Sequence, residues 1–72
     1  MAFQPASVEA HVGDVIEWRN DDSVPHTATA PDAGFDVDLA PGQVVQSKVT
    51  RVGGFDVICR YHPSMRLSLT VK

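Results

Sequence analysis

Apolar and polar residues alternate along most of the chain, and this period of two predicts strands rather than helices. Apolar side chains from Val8 to Val12 share one face of a first strand that ends at Gly13-Asp14. Ile16 and Trp18 then face inward from a second strand. Trp18 is the largest apolar group of the sequence, so we expect it in the core.

Alternation continues in the second half of the chain. Val45, Ser47 and Val49 predict one strand, Phe55, Val57 and Cys59 share a face of the next, and Leu67, Leu69 and Val71 mark a last strand. Several short strands without any helical period predict an all-β, two-sheet sandwich. Residues 1–72 are expected to form a single domain.

Turn-forming residues separate these strands. Asn20-Asp21-Asp22-Ser23 is a turn cluster, after which a short strand is expected to begin at His26. Residues 31–43 are expected to form a long loop with a brief extended piece at 35–39, closed by a type II turn at Ala40-Pro41-Gly42-Gln43. Gly53-Gly54 is expected to break the chain before the strand that carries Cys59.

Composition limits the classes of partner. The 72 residues are 43% hydrophobic and 21% charged, which is typical of a small globular domain. No apolar run approaches the roughly 20 residues of a membrane span. A net charge of -3 disfavours nucleic acid and anionic membranes and favours a cationic protein surface as partner.

The segment from Cys59 to Met65 carries the most distinctive chemistry. Cys59 is the only cysteine and has no internal disulfide partner, while His62 and Met65 follow it by three and six residues. A thiolate, an imidazole and a thioether at this spacing suit a transition metal, above all copper. A blue-copper site has two His and one Cys with a long, weak Met ligand, so a second histidine is required. His26 is the natural candidate.

Each ligand has a simpler interpretation. Cys59 alone would more often be a small buried hydrophobe, His62 a surface loop residue, and Met65 a core gap-filler. Their joint spacing favours the metal site. His11 is expected on the outer surface, and the remaining acidic side chains are interpreted as solvated turn residues rather than a docking patch, namely Asp21, Asp22, Asp32, Asp36 and Asp38.

The order of motifs resembles the small cupredoxins, closest to the amicyanin, pseudoazurin and plastocyanin group. The resemblance runs through almost the whole chain and rests on Gly13-Asp14-Val15-Ile16-Glu17-Trp18-Arg19-Asn20, Pro25-His26-Thr27, Pro41-Gly42-Gln43, and Gly54 to Cys59 with His62-Pro63 and Met65. It implies a compact Greek-key β-sandwich with one type 1 copper ion. The implied ligands are His26, Cys59, His62 and Met65.

Departures from the family pattern concern the site and the edges. Thr27 stands where relatives often carry Asn, and two interpretations of it stay open: its hydroxyl ties the two ligand segments together, or it is an ordinary strand threonine. Tyr61 replaces a common proline and adds a backbone N–H that we hypothesise raises the reduction potential. Val57 replaces an aromatic residue, and Arg66-Leu67 a Lys-Gly pair. The strand that relatives place before Phe3 is mostly absent, which predicts an N-terminally shortened sandwich with weak stability or edge-mediated self-association.

The resemblance implies a carrier of single electrons, with copper cycling between Cu(II) and Cu(I), and not an enzyme, because four protein ligands leave no open position for substrate. The expected partner is a c-type cytochrome or a copper or quinoprotein oxidoreductase. Relatives work outside the cytoplasm, so a periplasmic or extracellular location is expected, with any secretion signal removed or the domain excised. Two alternatives stay open: a copper-handling module for storage, delivery or sensing, and a metal-free structural domain.

Overall fold

The computed structural model describes Phe3 and residues 5–72, which form strands joined by turns. The elements are β1 Ser7–Ala10, β2 Val15–Arg19, β3 His26–Ala30, a 3-10 turn at Pro31–Ala33, β4 Phe35–Leu39, β5 Val44–Lys48, β6 Gly53–Cys59 and β7 His62–Val71. Among these residues no helix is long and apolar enough to cross a membrane. The all-β prediction is confirmed.

Two sheets of unequal size face each other. The larger sheet has the strand order β1-β7-β6-β3-β4, and the smaller sheet consists of β2 and β5. Strand β1 runs parallel to β7, whereas the other neighbours are antiparallel. Because β3 and β6 are adjacent, the first and second candidate ligand segments lie side by side in the larger sheet.

The core fills the space between the sheets with the residues that the alternation placed inward. Trp18 is 5% exposed and packs against the rings of Phe3 and Phe35 at centroid distances of 5.9 and 5.7 Å. Its indole N–H donates to the Ser47 hydroxyl at 3.2 Å. This bond explains how a serine occupies an inward position, since a buried hydroxyl needs a partner.

One prediction about connections was partly right and another was wrong. The extended piece expected at 35–39 is β4, but residues 31–43 are not a long loop, because β4 pairs with β3 along all five of its residues. Gly53 and Gly54 do not break the chain, since they belong to β6 and pair with Val71 and Thr70. The break lies at residues 49–52 instead.

The turn between β4 and β5 was predicted correctly. Gln43 N donates to Ala40 O at 2.9 Å, and Gly42 has a φ of 77°. A type II turn requires a positive φ at its third residue, a conformation that glycine adopts without steric cost.

Candidate metal centre

His26 and Cys59 meet in the interior although 33 residues separate them in sequence. His26 opens β3 and Cys59 ends β6, and these strands are antiparallel neighbours. His26 is 3% exposed and Cys59 is 0% exposed. The His26 Nδ1 atom lies 3.6 Å from the Cys59 sulfur, so the fold itself brings two of the predicted ligands together.

Asp22 determines which nitrogen of His26 faces the sulfur. The Asp22 Oδ2 atom lies 2.7 Å from His26 Nε2. An ionised carboxylate only accepts hydrogen bonds, so Nε2 carries the proton and donates it to Asp22. In the neutral ring the lone pair of Nδ1 is then directed towards Cys59. Metal-binding histidines usually have such a carboxylate partner on the second nitrogen.

Asn20 holds the loop that presents Asp22 and His26. Its side-chain amide donates to Val24 O at 2.9 Å and to Leu39 O at 3.0 Å. Its side-chain oxygen accepts from the Asp22 backbone N–H at 2.9 Å. Asn20 is 3% exposed, so this side chain replaces water as the partner of the loop backbone.

Several groups act on the Cys59 sulfur. Burial, the largest single influence, raises its pKa, but hydrogen bonds outweigh burial and lower the pKa from 9.0 to about 7. The strongest of these comes from the Thr27 backbone N–H, which donates to the sulfur at 3.4 Å, followed by the His26 ring and the backbone N–H groups of His62 and Tyr61. The Tyr61 contribution is the smallest of these.

The contact with the Cys59 sulfur also changes the pKa of His26. Its hydrogen bond with Cys59 raises the pKa of His26 above the ordinary 6.5, burial opposes this rise, and the bond with Asp22 adds to it. In the metal-free protein a proton therefore lies between Nδ1 and the sulfur. A metal ion would displace this proton.

His62 and Met65 lie on a different kind of backbone. Cys59 pairs with His62 across a turn at Arg60 and Tyr61, whereas Ile58 pairs with Arg66. Residues 63–65 are consequently additional on β7 and form a bulge. The sequence predicted a loop here, and the structure instead has a hairpin whose second strand is interrupted.

The side chains of His62 and Met65 lie near His26 and Cys59 but do not form a compact site with them. The His62 ring is half-buried, with its centroid 5.6 Å from that of His26. Met65 is 6% exposed and lines, together with His26 and Trp18, a cavity of about 540 Å³. Across the described part of the chain, no three His, Cys, Asp or Glu side chains are gathered closely enough to hold a metal ion.

The donors that do converge suit a first-row transition metal. Metal–thiolate and metal–imidazole bonds of roughly 2.3 and 2.0 Å at a tetrahedral angle place sulfur and nitrogen about 3.5 Å apart. The observed distance of 3.6 Å between Cys59 Sγ and His26 Nδ1 matches this value. A thiolate and an imidazole with a thioether nearby are the donor types of a copper site.

Sequence reasoning missed Asp22 and anticipated Thr27. Asp22 is 55% exposed in a turn, as interpreted, but it also binds His26, which the sequence did not predict. The only sequence signal was an acid four residues before a candidate ligand. The first interpretation of the Thr27 hydroxyl is confirmed, since it accepts the Arg60 backbone N–H at 2.8 Å and so joins the two ligand segments.

Comparison with known proteins identifies the family. The profile of the cupredoxin-like domain matches residues 1–71. The chain belongs to the cupredoxin-like family. Among solved structures, an oxidised proline-to-alanine mutant of amicyanin is 25% identical, with a TM-score of 0.86 over 100% of this chain and 74% of that one.

Two further solved structures are similar to this cupredoxin. The Cu(I) form of a methionine-to-alanine mutant of amicyanin has a TM-score of 0.86 and 25% identity over 100% of this chain and 74% of its own. A purple cupredoxin from Nitrosopumilus maritimus has a TM-score of 0.86 and 27% identity over 99% of this chain and 82% of its own. The predicted Greek-key cupredoxin fold is thereby confirmed.

Proposed function

We propose that this cupredoxin is a type 1 blue copper protein that carries single electrons between redox partners, with copper cycling between Cu(II) and Cu(I). The ligands are His26, Cys59, His62 and Met65. The observation that carries the proposal is the buried pair of Cys59 Sγ and His26 Nδ1, 3.6 Å apart, with Nε2 held by Asp22. The similarity to amicyanin in a Cu(I) form supports the choice of metal.

The bound copper ion would supply the one-electron couple, and the chain would supply a fixed, dry set of donors. Cys59 is 0% exposed, so water does not compete for its sulfur. Asp22 holds the His26 ring from outside and Asn20 holds the backbone of Asp22, which limits the movement of the ring between the two oxidation states. Four protein donors leave no position for a substrate, which supports electron transfer rather than enzyme activity.

His62 is the point at which electrons would enter and leave. It is half-buried, and the neighbouring Tyr61 is 57% exposed. A partner that covers this end would approach the metal closely through a small interface, as is usual for transient redox encounters. The net charge of -3 suits a cationic partner such as a c-type cytochrome, or a copper or quinoprotein oxidoreductase, in a periplasmic or extracellular compartment.

The smaller sheet has strand edges that can pair with a second copy of this chain. Among Phe3 and residues 5–72 it contains only β2 and β5, so each of these strands has a described neighbour in the sheet on one side. Unpaired strand edges are templates for pairing with another chain. Edge-mediated self-association through β2 or β5 is therefore part of the proposal, and sedimentation over a range of concentrations tests it.

The test of function is a visible spectrum of the purified protein after one equivalent of Cu(II), followed by reduction with ascorbate and reoxidation. An electron carrier gives an intense copper–thiolate band that bleaches and returns. A site that handles copper without shuttling electrons binds the ion but does not cycle. A colourless product with no bound copper contradicts the proposal and favours a structural domain.

A further inference from the structure

Three hydrogen bonds and one ion pair form a ring that begins and ends on Arg60, the residue that follows Cys59. The Arg60 backbone N–H donates to Thr27 Oγ1 at 2.8 Å, and Thr27 Oγ1 lies 2.9 Å from Thr29 Oγ1. The Thr29 hydroxyl donates to Asp36 Oδ1 at 2.9 Å. The Arg60 guanidinium lies 3.6 Å from the same Asp36 oxygen, which closes the ring.

The direction of every bond in the ring follows from the available protons. An ionised carboxylate accepts only, so the single proton of Thr29 goes to Asp36. The Thr27 hydroxyl must then donate to Thr29, which leaves its own oxygen to accept the Arg60 amide. All the bonds point the same way, towards the charge on Asp36. Bonds aligned in this way polarise and strengthen one another.

The ring connects the surface to the interior. Thr27 is 0% exposed and Thr29 is 6% exposed, whereas the side chains of Asp36 and Arg60 are 48% and 49% exposed. Strand pairing builds the link, because Thr29 lies directly opposite Asp36 in the register of β3 and β4. Within the described residues no buried side-chain nitrogen or oxygen lacks a hydrogen-bond partner, so breaking one link leaves a buried hydroxyl unsatisfied.

Thr27 makes this ring relevant to the sulfur. Its hydroxyl accepts the amide of the residue after Cys59, while its own backbone N–H donates to the Cys59 sulfur at 3.4 Å. In the first bond the segment after β6 donates to β3, and in the second β3 donates to the end of β6. Fixing the first therefore fixes the geometry of the second.

We propose that Thr29, Asp36 and Arg60 are positioning residues that act through Thr27 to set the N–H···S contact at Cys59. The inference rests on the proposed function only in that the same sulfur binds copper. Hydrogen bonding around the cysteine sulfur tunes the reduction potential of such sites. A donor to the sulfur withdraws charge from the thiolate and favours Cu(I), so loosening the ring lowers the potential.

The test compares Asp36→Ala with Asp38→Ala. Both substitutions remove one carboxylate near the Arg60 guanidinium. The Asp38 side chain binds Arg60 at 3.0 Å and lies outside the ring, and its backbone pairing opposite Thr27 should be kept in the alanine variant. Two quantities are measured: amide hydrogen exchange of Thr27 and Arg60 in the copper-free protein, and the reduction potential of the copper-loaded protein. Asp36→Ala should accelerate both exchange rates about tenfold, the value of one ordinary hydrogen bond. It should also lower the potential, while Asp38→Ala leaves exchange and potential close to those of the wild type.

Thr29→Val is the second variant, since it keeps the side-chain shape and removes only the hydroxyl. It should reproduce the effects of Asp36→Ala. Equal exchange of the Thr27 and Arg60 amides in the Asp36 and Asp38 variants would overturn the inference. Faster exchange of these amides in Asp36→Ala with an unchanged reduction potential would also overturn it. A wild-type protein without a reversible copper couple would contradict the proposed function instead, and the exchange rates would still decide whether the ring positions the sulfur.

Discussion

The two halves of the candidate copper site are built differently. His26 and Cys59 stand on paired strands, are almost completely buried and lie 3.6 Å apart. His62 precedes the bulge on β7 and Met65 ends it, and in the described part of the chain no three His, Cys, Asp or Glu side chains gather into a metal site. The first half is therefore fixed by folding, whereas the proposed second half would need the metal to close it.

Hydrogen bonding explains this difference. Asp22 holds His26 from one side, Asn20 holds the backbone of Asp22, and Thr27 joins the strand of His26 to the segment after Cys59. In the bulge, Pro63 has no backbone N–H to donate, and Ser64 is exposed. Ordering such a segment uses part of the binding energy, so contacts made there add less to the net affinity and to the stability of the loaded protein. The comparison predicts that substitutions in the first half have the larger effects on copper affinity.

The largest effect is expected from Cys59→Ser. This change removes the thiolate and should abolish the visible copper–thiolate band. It should lower copper affinity by more than about 100-fold, which is the upper range for loss of an outer partner of a ligand. Ser64→Ala alters an exposed neighbour in the bulge and should leave both properties unchanged. Retention of the band in Cys59→Ser would show that the sulfur is not a ligand.

Asp22→Asn should lower copper affinity by about 10–100-fold, because an amide no longer fixes His26 Nε2 as a hydrogen-bond donor. Asp21→Asn is the matched control, since it removes the same charge from the adjacent exposed residue. Titration with a copper chelator of known affinity measures both. Equal losses in the two variants would mean that charge, rather than the bond to His26, supports the site.

The dependence of copper affinity on pH follows from the proton between Cys59 and His26. The pKa of Cys59 is lowered to about 7, and the pKa of His26 is raised above 6.5. Above pH 7 the thiolate is largely present, and copper displaces few protons. As the pH falls below about 7, each competing proton should weaken apparent binding roughly tenfold per pH unit. Affinity that still rises steeply between pH 7 and 9 would show that the thiol keeps its ordinary pKa.

Sequence alone predicted most of the inward residues, although Val12 is 49% exposed, because alternation is a local property. It named four candidate ligands, of which the structure brings His26 and Cys59 together. It located the extended piece that is β4, but not its pairing with β3, since Pro31, Gly34 and the Pro-Gly turn mark the flanks as loop. The bond between Asp22 and His26 depends on the loop conformation that Asn20 sets, which spacing does not encode. The contact of Thr29 with Asp36 required the register of β3 and β4.

Met65→Leu should have the smallest effect on affinity and therefore tests the second half of the site most directly. Leucine conserves volume at this buried position, so the loss of stability should stay below about 1.5 kcal/mol.

A long axial bond contributes little affinity, so copper binding should weaken by less than about tenfold, with the visible band retained. The reduction potential should rise, because the metal loses an electron donor that favours Cu(II). Voltammetry and chelator competition measure the two effects separately. A loss as large as that of Asp22→Asn would show that the bulge is as firmly organised as the paired strands, and the distinction between the two halves would then fail.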